Sequence, residues 1–186
     1  MSTSHYKDEA GDAWKWWNSL QPNEQIKQRG DRASLAKLRR ASSVMEAAAE
    51  PVTADLFKAL GFIRSGATRD LPRAALIAAV LAHIPKAKDV KSPTLARAIG
   101  TPRGGGDTTQ LVTPLRLKRL VAAREPDDLL ISFRRTIAIL KDTANVKDVA
   151  HQLLLWTDEI QADRARTKFM FDYHNADNAA PDLKAV

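Results

Sequence analysis

The sequence predicts an all-α protein, a bundle of about eight to nine helices in two packed helical units. Three observations carry that prediction. Alanine and leucine dominate the 186 residues, and runs of β-branched residues are missing. Apolar residues recur at three- and four-residue steps instead of alternating.

Taken in order, the first helix covers about 11–20, with Trp14, Trp17 and Leu20 as a buried stripe and Trp16 as the freer ring. Pro22 stops it, because the residue before a proline resists the α region. The stretch GDRASLAKLRRA (30–41) opens the second, with Asp31 as N-cap after Gly30. On a helical wheel Leu35, Leu38, Ala41 and Met45 share one side. Arg29, Arg32, Arg39 and Arg40 lie about 140° away, on the rim or outer face. Pro51 starts a helix through Leu56, Phe57 and Leu60 that ends at Gly61 or Gly66. Pro72 begins the next, about 72–84, which is apolar nearly all round and therefore central.

A basic loop (85–91) leads to a short helix (92–100) capped by Ser92 and stopped by Gly100. Three glycines in TPRGGGDTTQLVTP make 101–113 a flexible loop between an N-terminal unit (11–100) and a C-terminal one (114–174). No Gly-Lys-Ser/Thr follows those glycines, so they do not cradle a nucleotide phosphate. Pro114 and Pro126 each start a helix; Asp127 and Asp128 complement the positive end of the second, and Leu130, Phe133, Ile137 and Leu140 form its core stripe. Two last helices follow, one with Val149, Leu153 and Trp156, the other (159–173) with Ile160, Phe169 and Phe171; a disordered tail occupies 175–186.

Composition narrows the chemistry. There is no cysteine, which excludes disulfides, thiolate catalysis and Cys-ligated zinc. His5, His83, His151 and His174 show no metal-ligand spacing, and no nucleophile motif or metal-binding carboxylate cluster is visible. The expectation is no enzyme, no cofactor and no metal. No apolar run approaches the roughly 20 residues of a membrane span, so the chain is expected to be cytoplasmic without a membrane partner.

Charge then points to a polyanion. Lys and Arg number 29 against 22 Asp and Glu, and the pI is near 9.8. The excess sits in three blocks: +5 over 27–40, +6 over 64–103 and +4 over 114–141. Arginine supplies most of the last block, and its planar fork matches two phosphate oxygens.

Several of these motifs, in order, resemble one family. WW-x-x-L precedes GDRA-x-L-x-x-LRRA; RLKRLVAAR is followed by a helix bearing FRR; a late helix reads LLLW. In this the chain is similar to the small-subunit (CasB) family of the type I-E CRISPR surveillance complex, Cascade. The resemblance implies a non-enzymatic helical subunit of a ribonucleoprotein complex. It implies as partners other Cascade subunits, guide RNA, target and non-target DNA strands, and a second copy of the chain. The implied role is R-loop stabilisation in antiviral defence. By motif position Arg39, Arg40, Arg124 and Arg135 match the family's basic contacts; Arg134, Arg116 and Arg119 are neighbours, and Lys88 and Lys91 fall where the family carries a basic loop. Arg32 shares the rim of the second helix. Two other functions suit the same charge pattern, a free-standing DNA-binding regulator and a scaffold whose basic face meets an acidic protein.

Overall fold

The computed structural model describes residues 3–25, 27–62, 70–87, 92–104 and 107–176. The fold is all-α. In chain order the helices are α1 (Thr3–Ser19), α2 (Arg32–Arg40), α3 (Val44–Ala48), α4 (Pro51–Ala59), α5 (Leu71–Leu81), α6 (Leu95–Gly100), α7 (Pro114–Ala122), α8 (Pro126–Ile139), α9 (Val146–Trp156) and α10 (Ala162–His174). Four short strands punctuate them: β1 (Lys86–Ala87), β2 (Pro102–Gly104), β3 (Asp107–Gln110) and β4 (Thr143–Ala144).

The apolar helix is the axle of the bundle. Every side chain from Ala74 to Leu81 is fully buried, because α5 is enclosed by α3, α4, α8 and α9. Burying a Leu, Ile or Val is worth about 1.5–3 kcal/mol, so this run anchors the core. On the flanks, α1 packs on α9 and α4, while α10 closes against α6, α9 and α7. β1 pairs in parallel with β4, Lys86 opposite Thr143, which ties the exit of α5 to the exit of α8.

Two glycines are needed for close approach. Gly30 has φ +70°, and a Cβ there would lie 2.6 Å from the Pro22 nitrogen. At Gly100 a Cβ would lie 2.2 Å from the Tyr173 carbonyl oxygen, so the last residue of α6 lets α10 pass against its backbone.

Local details depart from the sequence reading. The first helix begins at Thr3, eight residues before the expected start. Trp16 is buried and Trp14 only half-buried, the reverse of the expectation, because α1 is covered on two sides. Trp16 Nε1 donates to Val52 O (2.9 Å) and Trp17 Nε1 to Ile84 O (3.0 Å), while the Trp14 ring lies under Lys147 Nζ at 5.2 Å. Met45 is 83% exposed instead of core, since the chain turns extended at Ala41 and the α2 wheel does not continue to it. In the last helix Ala165, Arg166, Phe169 and Tyr173 face inward and Phe171 faces solvent, while Ile160 lies exposed in the turn before it. Thr94, not Ser92, caps α6 through the Arg97 amide. Within the glycine-rich loop β2 and β3 form an antiparallel hairpin, Pro102 opposite Gln110. Most of the expected tail, 177–186, lies outside the described residues.

Candidate nucleic-acid interface

The first basic block enters the fold on α2. Asp31 caps that helix by accepting from the Ser34 amide (2.9 Å) and hydroxyl (2.7 Å), and the hydroxyl and amide bonds hold its carboxyl below the usual range. Leu35 and Leu38 face the core, which leaves Arg32, Arg39 and Arg40 exposed. Arg32 opens the helix and Arg40 closes it, so about 12 Å of helix axis separates them.

At the closing end the chain-distant blocks meet. Arg134, on α8, donates from Nη2 to the Leu38 carbonyl at 3.2 Å, across 96 sequence positions. Arg39 donates from Nε to the carbonyl of Ala82, the C-cap residue of α5, at 2.5 Å. Each guanidinium thus sits at a helix C-terminus, where unpaired carbonyls and the negative dipole end favour a cation. A second contact seats α8 here: Asp127 Oδ1 accepts from the Val44 amide at 2.7 Å. Asp127 and Arg134 are seven positions apart and share one face of α8, so the α2–α3 segment lies along that face.

His83 feels the charge of both arginines. Burial first, then the charges of Arg134 and Arg39, push its imidazole down to about 4, although it bonds the Arg39 backbone. It is neutral at pH 7. Burial likewise lowers the Arg134 guanidinium, whose Nε has no partner. Arg40 and Arg135, the adjacent residues, are exposed and have no side-chain partner among the described residues.

Other expected contacts stand apart. Arg124, after α7, donates to Val121 O (2.9 Å) and pairs with Asp163 on α10 (3.2 Å). Beneath it Arg166 is 2% exposed, donates to Ala123 O (3.0 Å) and stacks 4.9 Å from the Trp156 ring centroid. Burial, then the nearby Arg124 charge, lowers the Arg166 guanidinium. Arg116 and Arg119 are exposed on α7, flanking the buried stripe of Leu117 and Leu120. Lys88 and Lys91 lie outside the described residues. Sequence reasoning missed Arg166 as a buried residue; its spacing of three and seven from Phe169 and Tyr173 is the signal that could have found it.

Among the described residues no group of three or more His, Cys, Asp or Glu could hold a metal ion, and no helix is long and apolar enough to cross a membrane. These features define a basic all-α protein whose central arginines are fixed on helix ends. The chain belongs to the CRISPR-associated protein Cse2 family: the family model matches residues 34–174, more than half of its length. That is the family of the type I-E small subunit of Cascade. No curated protein and no solved structure gives a significant match.

Proposed function

We propose that the chain is the non-enzymatic small subunit of a Cascade complex and that it stabilises the R-loop by gripping phosphates. The gripping surface is built around Arg39, Arg40, Arg134 and Arg135. The observation carrying this is the bond from Arg134 to the Leu38 carbonyl, which draws two basic segments 96 positions apart into one place. A displaced strand of arbitrary sequence has to be held without reading its bases, and phosphate contacts do that. Strand exchange in an R-loop is nearly balanced in energy, so a few backbone contacts tip it.

Within the surface the work divides. Arg39 and Arg134 are oriented by the carbonyls they cap, and Arg40 and Arg135 are the unengaged forks beside them. Arg116 and Arg119 extend the same function along α7. On this reading the partners are guide RNA, both DNA strands, the other Cascade subunits and a second copy of the chain, in the cytoplasm.

The test is Arg40→Ala with Arg135→Ala in reconstituted Cascade, with target affinity measured over a fourfold range of salt. The log–log salt slope should fall by about 2, at roughly 0.9 per lost phosphate contact, with affinity weakened at low salt. Unchanged affinity at every salt concentration overturns the assignment. Sequence-specific binding by the isolated chain would favour the regulator instead.

A further inference from the structure

The end of α8 breaks a backbone preference. Leu140 is its C-cap; the Lys141 amide then donates to Ala138 O (3.0 Å) and the Asp142 amide to Ile137 O (3.1 Å). That pair of bonds is a Schellman end, whose first residue past the cap takes a left-handed backbone and is usually Gly or Asn. Here it is lysine: φ is 56° at Lys141 and 59° at Asp142. Aspartate tolerates that region, whereas a lysine there carries a strain that glycine avoids. The same chain uses glycine at the matching place after α4, where Gly61 has φ 71° and donates to Lys58 O (3.0 Å).

Packing does not account for the lysine, because Lys141 is exposed. Thr143 secures the turn: its amide and hydroxyl donate to Leu140 O at 3.2 and 2.8 Å, and β4 then pairs with β1. A strained residue held in place by its surroundings, with its side chain in solvent, points to work done by that side chain.

The turn lies close to the arginine site. Lys141 follows Arg134 by seven positions, about 10 Å along the helix axis. His83 feels the charges of Arg134, Arg39 and Asp142 together. Lys86, also exposed, stands opposite Thr143 in the β1–β4 pair. Paired strands lie about 5 Å apart and two residues reach at most about 7 Å, so the Lys86 and Lys141 Cα atoms are within about 12 Å. Neither ammonium has an ion-pair partner among the described residues. Residues 88–91, outside the described ones, contain two lysines and one aspartate, so they do not reverse the sign of charge at this joint.

We propose that Lys141 and Lys86 are phosphate contacts: the nucleic-acid backbone held at Arg40 and Arg135 also crosses the joint of β1 and β4. The proposal rests on the phosphate-gripping reading above and adds two cations to it. An ammonium is a compact point charge without a preferred plane, which suits a backbone whose sequence and register are not fixed.

Lys141→Gly is compared with wild type for the Tm of the full chain and, in reconstituted Cascade, for affinity to a matched target duplex over a fourfold range of salt. The Tm should rise by about 2–4 °C as the left-handed strain is relieved. The log–log salt slope should nonetheless fall by about 1, and by about 2 with Lys86→Ala added. Lys141→Arg should keep the wild-type slope. An unchanged slope in the double variant overturns the proposal, as does a Tm lowered by Lys141→Gly. Loss of the subunit from the complex with an unchanged slope overturns it in favour of an acidic protein neighbour. If Arg40→Ala with Arg135→Ala lowers the slope and the lysine variants do not, this proposal fails alone; if neither does, the phosphate reading fails with it.

Discussion

Replacing Arg134 with Met keeps most of the side-chain stem and removes one donor and one charge. The donor capped the Leu38 carbonyl at 3.2 Å, the long end of the N–H···O range. A hydrogen bond from a charged group is worth about 1.5–3 kcal/mol, and a cation at a helix C-terminus about 0.3–1 kcal/mol. Against that, the guanidinium is partly desolvated where it sits, and its removal relieves that penalty. The net loss should be about 1 kcal/mol, a fall in Tm of about 2–4 °C for a chain of this size. A merely local loss would stop there. His83 supplies the distinguishing readout, because Arg134 is the largest charge depressing it after burial. The His83 C2–H titration should move upward from about 4 in Arg134→Met and stay put in Arg135→Ala. An unmoved His83 midpoint together with an unchanged Tm would refute the capped arrangement.

His83 also sets a pH dependence. Its folded value, about 4, lies below the roughly 6.5 of an unfolded histidine, so the unfolded chain takes up the proton first. Stability should therefore fall as pH drops from about 6.5 to about 4, with this group contributing no further change below; a urea titration at several pH values checks it, and a flat profile would count against a buried neutral imidazole. Gly100→Ala puts a Cβ 2.2 Å from the Tyr173 carbonyl, backbone that cannot swing aside, and should destabilise by about 2–4 kcal/mol in equilibrium unfolding. Arg124→Ala removes an exposed ion pair with Asp163 and should change stability by less than about 1 kcal/mol while reducing salt sensitivity of the Tm.

Much of the fold was legible because helix-period patterns survive without tertiary help. The apolar α5, the Leu130–Phe133–Ile137–Leu140 stripe and the prolines opening α4, α5, α7 and α8 could be read from spacing alone. What failed depended on partners. Whether Trp14 or Trp16 is buried depends on α4 and α9 both covering α1, and Met45 left the core because the helix it was projected on ends at Arg40. The β2–β3 hairpin is backbone pairing in polar sequence that no hydrophobic pattern announces. Of the candidate interface, the residue types were legible. The division between helix-capping Arg39 and Arg134 and their unengaged neighbours was not, since it depends on which carbonyls lie nearby.

The span of 96 positions between Arg134 and Leu38 has a consequence for synthesis. Closing so long a loop is entropically slow and follows the local helices, which form early. A nascent chain that has emerged only through α5 carries the end of α2 without the α8 guanidinium that caps the Leu38 carbonyl. That cap therefore arises only in a nearly finished molecule, and shorter ribosome-bound fragments hold Arg39 and Arg40 without Arg134 beside them.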